Sequence, residues 1–119
     1  MAGDASPHFT VIEESGAKII EFSERKILDE LSISELGDQL RGEVESTSSP
    51  KLILDFRNVE HLSSAALGML ITLDKLVKDK KGGLRLCNIN AQIFEVFKIT
   101  RLNKLFSIYD TTESALNTD

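Results

Sequence analysis

Leu52-Ile-Leu-Asp-Phe-Arg-Asn-Val-Glu-His-Leu-Ser-Ser-Ala-Ala-Leu-Gly68 is the stretch that decides the fold. It begins in an almost unbroken apolar run, Lys51 to Phe56, of the kind that suits a strand covered on both faces of a parallel or mixed sheet. A short polar loop follows, and a helix opens at two adjacent serines. Behind them Ala66, Met69, Leu70, Leu73, Leu76 and Val77 recur at helical spacing and form one core stripe. Lys80-Lys-Gly-Gly83 closes that helix with basic residues and glycine, as a C-terminus favours. Strand, loop and helix in this order are the beginning of an α/β unit.

The neighbouring segments extend the pattern in both directions. Upstream, Phe9 to Glu13 and Ala17 to Phe22 read as strands joined by a Ser-Gly turn, a hairpin. Ser23 to Glu30 is charged and reads as irregular. Ser32-Ile-Ser-Glu35 carries the signature of a capping box, and Ile33, Leu36, Leu40 and Val44 follow on one helical stripe. Downstream, Leu84 to Cys87 reads as a strand, Ala91 to Ile99 as a short helix, Leu105 to Tyr109 as a last strand and Thr111 to Leu116 as a closing helix. The expected class is therefore α/β: one domain over residues 9–119, with a mixed sheet made of an N-terminal hairpin plus parallel strands, and about four helices. Residues 1–8, small and polar and including His8, read as a flexible tail.

Composition restricts what such a domain does. With 119 residues, 28% of them charged and 41% hydrophobic, the chain is long enough for one ordinary core. Its net charge of −5 disfavours the clamping of phosphate backbones, so no direct nucleic-acid partner is expected. The longest nearly uninterrupted apolar run, Ala65 to Leu73, falls short of the roughly 20 residues that span a bilayer, so no membrane insertion is expected. The single cysteine, Cys87, and the lack of a leader pattern point to a cytoplasmic protein. The two histidines and Cys87 are scattered without ligand spacing, and no phosphate-cradling glycine motif occurs, so neither metal nor cofactor is expected.

The two serines carry the chemistry. Ser63 is the natural N-cap, its hydroxyl accepting an orphan amide proton. Ser64 then takes the first helical position, where its hydroxyl has no capping duty and sits at the positive end of the helix dipole. On the residues alone two readings stand: a pair of serines that merely starts a helix, and a hydroxyl placed for modification. Ser64, His61 and Asp55 also supply the residue types of a hydrolase triad, but the G-x-S-x-G elbow is absent, and an enzyme is not expected.

The pattern LILDFRNVEHLSSAALGML resembles the phosphorylation segment of STAS domains, in particular of anti-sigma factor antagonists. Ser63 takes the place of that family's Asp, Ser64 that of its phosphorylated serine and Ala65 that of the next Ser/Thr. Ala66 replaces a glycine, adding a methyl on the side expected to meet a partner, while Leu67 and Gly68 match directly. Leu28-Asp-Glu-Leu-Ser-Ile-Ser-Glu-Leu36 resembles a second family segment, and residues 82–116 the usual strand, helix, strand and closing helix. The resemblance implies a switch protein that binds an anti-sigma factor serine/threonine kinase, is released when phosphorylated at Ser64, and is reset by a serine phosphatase. ATP would belong to the kinase. Asp29, Asp55, Ser63, Ala65, Leu67, Gly68 and Ile71 are the expected partner contacts. The alternative implied by the same family is an interaction module that is not phosphorylated, serving a transporter or another signalling complex.

Overall fold

The computed structural model describes residues 8–117. In chain order it contains β1 (Phe9–Glu14), β2 (Ala17–Phe22), β3 (Lys26–Ile27), α1 (Glu30–Glu45), β4 (Lys51–Asp55), β5 (His61–Leu62), α2 (Ser64–Asp79), β6 (Gly83–Cys87), α3 (Ala91–Ile99), β7 (Ser107–Tyr109) and α4 (Thr112–Leu116). A single 3-10 turn, Leu102–Lys104, precedes β7. The main sheet has the order β1-β2-β4-β6-β7. Only β1 runs antiparallel to its neighbour. Its hairpin turns through Ser15 and Gly16, both at positive φ (54° and 81°), the two-residue geometry that matches the twist of the flanking strands.

Strand alternation divides the interior. Ile20 and Phe22 on β2, Leu52 and Leu54 on β4, and Leu84 and Leu86 on β6 enter the main core with the stripes of α1, α2 and α3. Ile19, Ile53 and Cys87 point the other way and are covered by Ala115 of α4. The unbroken apolar run of β4 is therefore explained: Leu52 and Leu54 serve one face of the sheet, Ile53 the other.

The class, the hairpin, the parallel strands and the four helices follow the sequence reading, and four details differ. The charged segment after β2 contains β3, which pairs in parallel with β5 of the 57–62 loop, Lys26 opposite His61 and Ile27 opposite Leu62. Two-residue strands are too short to show a period of two, and only tertiary pairing defines them. The α1 helix starts at Glu30, earlier than Ser32, because Asp29 is its N-cap and accepts from Ser32 N–H at 3.0 Å; an ionised carboxylate favours the positive helix end more than a hydroxyl does. The last strand is shortened to Ser107–Tyr109 by the 3-10 turn. His8 is not on the surface: it is 6% exposed, with Nδ1 3.2 Å from Glu24 and Nε2 3.2 Å from Glu35. The remainder of the expected tail, residues 1–7, lies outside the described residues.

Candidate functional site

Ser64 stands at the junction of β5 and α2, and the cap geometry there is that of the sequence reading. Ser63 has extended backbone (φ −89°, ψ 168°), and its Oγ accepts from Ala66 N–H at 3.2 Å. Ser64 is the first residue of α2 and is exposed. Its hydroxyl forms no hydrogen bond among the described residues. The amides that open α2 have no intrahelical acceptor, so an anion on this hydroxyl meets the positive end of the helix.

A second helix start is brought beside it. The β3–β5 pairing continues into a bond from Ser63 N–H to the Ile27 carbonyl at 3.0 Å, so that Leu28 and Asp29 follow directly alongside Ser63. The openings of α1 and α2 thus share one face. Leu28 and Leu31 are exposed on it, Leu31 by 68%. Between the two helices runs a groove of about 300 Å³, walled by Ser34, Gly37, Ala65, Gly68 and Thr72 with Met69 at its side. A Cβ on Gly68 would meet open space, so this turn of α2 offers bare backbone to solvent.

The loop that carries Ser64 is held from three directions. Asp55, at the end of β4, is 1% exposed. Its Oδ1 accepts from Arg57 N–H at 3.0 Å and Asn88 Nδ2 at 2.9 Å. Its Oδ2 accepts from Arg57 Nε at 2.9 Å and Thr112 Oγ1 at 3.3 Å. That one carboxylate joins β4, the end of β6 and the start of α4. Asn58 Nδ2 donates to Glu21 Oε2 and to the Phe22 carbonyl, each at 3.1 Å. Asn90 caps α3 by accepting from Ile93 N–H at 2.8 Å, while its Nδ2 donates to the carbonyls of Val59 and Glu60 at 3.2 and 3.3 Å. Attraction to Asp55, and the hydrogen bond to it, raise the Arg57 pKa above its ordinary value. Burial pushes the Cys87 thiol up, against the opposing effect of its contact with the Thr112 hydroxyl.

The expected contact residues fall into two groups. Asp29, Ser63, Ala65 and Gly68 lie around Ser64 at the surface or half-buried. Asp55 does not face a partner, because its carboxylate is spent on the loop it anchors. Leu67 is buried among α3 and β5 residues, at 7% exposure, and Ile71 is half-buried against the core. Both therefore act on the surface through packing. Ala66 is fully buried, so its methyl enters the core and leaves the approach to Ser64 unobstructed. The hydrolase constellation does not assemble: His61 is exposed on β5, and among the described residues no hydrogen bond links it to Ser64 or Asp55. No group of three metal-ligating side chains occurs among the described residues, and no helix there is long and apolar enough to cross a membrane.

Sequence reasoning missed Asn58, Asn88, Asn90 and Thr112. Asn90 had a local signal, an N-cap residue three places before the apolar Ile93. The other three act across 24 to 57 positions of chain, beyond any local pattern.

Comparison with known proteins places this geometry in a family. The chain is 24% identical over 78 residues to an anti-sigma F factor antagonist of Paenibacillus polymyxa, a span of 66% of this chain and 67% of that protein. Its fold superposes on an anti-sigma-factor antagonist (STAS) domain protein from Planctomyces limnophilus with a TM-score of 0.83 at 21% identity, covering 94% of this chain and 97% of the other. It also superposes on part of the murine solute carrier 26 family member A9 anion transporter, with a TM-score of 0.75 at 16% identity, covering 88% of this chain and 18% of that one. Residues 8–115 match the STAS domain, and the chain belongs to the STAS domain family.

Proposed function

We propose that this chain is an anti-sigma factor antagonist that works by partner switching at Ser64. Unmodified, it binds an anti-sigma factor that is itself a serine/threonine kinase, and so frees the sigma factor. The kinase then transfers the γ-phosphoryl group of its own ATP to Ser64 Oγ, with loss of the hydroxyl proton and release of ADP. The dianion weakens the complex, and a serine phosphatase restores the hydroxyl.

The observation that carries this reading is the division of labour between the two serines. Ser63 Oγ is engaged in capping, which leaves Ser64 Oγ exposed and unengaged at the helix start. A phosphate there adds about −1.5 to −2 charges. At a helix N-terminus that charge is locally favourable by about 0.3–1 kcal/mol, so the fold tolerates it. The cost falls on a partner that must desolvate it. Asp29 and Glu30 at the neighbouring helix start already make the shared face acidic, and Ala65, Gly68 and the α1–α2 groove give a partner close access to backbone.

A second reading is a STAS module that binds a partner without being modified, which the likeness to a transporter's domain supports. Affinity capture of the full chain from its native cell, followed by mass spectrometry of partner and phosphosite, separates the two. The switch predicts a kinase-type anti-sigma partner and phosphate on Ser64. Transporter subunits with an unmodified Ser64 would overturn it.

A further inference from the structure

The end of the sheet opposite Ser64 holds a feature that partner switching does not use. Helix α2 closes with the Gly82 N–H donating to the Val77 carbonyl at 2.9 Å, the wide bond of a Schellman turn. The left-handed residue of that turn is Lys81, at φ 61°. Glycine is the default there, because a Cβ crowds the neighbouring carbonyl. Two glycines follow immediately, yet neither takes the place. Gly82 is required for another reason: an added Cβ would collide with the Pro50 carbonyl oxygen. A strained lysine beside available glycines calls for a role for its side chain.

Lys81 lines a cavity of about 410 Å³ together with Lys51 and Arg85. Ser15 and Ser49, two further left-handed residues, border it as well. No acidic residue lines it, although the chain as a whole carries a charge of −5. Lys51 and Lys81 form no ion pair among the described residues. Arg85 is steadied by donation to the Ala115 carbonyl and by lying over the Tyr109 ring, 6.0 Å from its centroid. One wall is apolar, formed in part by Leu116.

From this we infer a binding site for a small phosphorylated organic molecule. Three cationic residues lining one cavity match a dianion better than a single carboxylate, and the two serine hydroxyls add neutral donors. The volume lies within the range of about 300–1,000 Å³ usual for small-molecule clefts, larger than a bare phosphate needs, and the Leu116 wall suits the organic part. The site stands apart from Ser64 and does not depend on the proposed function.

The test is an amide NMR titration of the full chain with phenyl phosphate, inorganic phosphate and phenol. Phenyl phosphate should give saturable shifts at Ser15, Lys51, Gly82, Gly83 and Arg85, with a Kd of about 1 mM or tighter. Inorganic phosphate should bind the same residues more weakly, and phenol should not bind. Lys81→Gly relieves the left-handed strain and so keeps the fold, with a raised denaturation midpoint, yet should weaken phenyl phosphate about fivefold; Lys51→Gln should act in the same direction. The site is refuted by shifts that never saturate, by shifts confined to the start of α2, or by affinity unchanged in both variants. Equal affinity for inorganic and phenyl phosphate would overturn the assignment of an organic ligand.

Discussion

Replacing Asp55 by alanine removes the buried acceptor on which four donors converge: Arg57 N–H, Arg57 Nε, Asn88 Nδ2 and Thr112 Oγ1. A hydrogen bond to a charged acceptor contributes about 1.5–3 kcal/mol. These four share one carboxylate, so their energies do not add. The Arg57 side chain is 52% exposed and regains water when its partner goes, which removes most of the guanidinium's share. What remains is chiefly the desolvated Asn88 and Thr112 donors, the backbone N–H of Arg57 and a small void. The expected loss is about 3 kcal/mol, at the lower edge of the range for breaking a buried pair. Urea denaturation should show a lower midpoint at unchanged slope, and the melting temperature should fall by about 12 °C. Arg57→Ala should cost only about 1 kcal/mol, since its guanidinium is at the surface. A loss below about 1 kcal/mol for Asp55→Ala, or equal losses for the two variants, would refute the assignment of Asp55 as the anchor of the Ser64 loop.

Ser63→Ala should destabilise the fold by about 1 kcal/mol and Ser64→Ala by much less; Asp29→Ala should likewise cost more than Ser32→Ala, as denaturant melts of the four variants would show. Gly82→Ala should lower the melting temperature by more than an ordinary surface change, because the new methyl group collides with Pro50 backbone. Burial holds the Cys87 thiol above its ordinary value of 9.0, so the folded state retains a proton that the unfolded chain loses. Its contribution to stability is therefore full below about pH 9 and declines as the pH rises toward the folded-state value. Stability curves of the parent and Cys87→Ala should accordingly converge with rising pH, and a gap that widens would contradict this.

Elements with a strong local period were legible in the sequence. The stripes of α1 and α2, the buried run of β4 and the hairpin each follow from residue spacing, and the Ser63 cap from its side-chain chemistry. What escaped depends on residues distant in the chain. The β3–β5 ladder is two residues long, yet it sets Asp29 beside Ser63. Asp55 was expected to be a partner contact, because nothing local shows that Asn88 and Thr112 converge on it. The choice of Asp29 over Ser32 as the α1 cap turned on a difference of three positions between two good capping residues. Leu67, expected at the partner surface, is buried for a related reason: at a helix start the exposed arc is narrow, and one position changes the face.

The central claim, that modification of Ser64 switches partners, is tested most directly by titrating the captured anti-sigma partner against unmodified, Ser64-phosphorylated and Ser64→Ala protein. Burying an unpaired dianion can cost several kcal/mol, and each 1.4 kcal/mol is about tenfold in affinity. The phosphorylated form should bind at least about a hundredfold more weakly, with its circular dichroism and melting temperature little changed, while Ser64→Ala should bind as the unmodified chain does. Equal affinities for the unmodified and phosphorylated forms would contradict the switch.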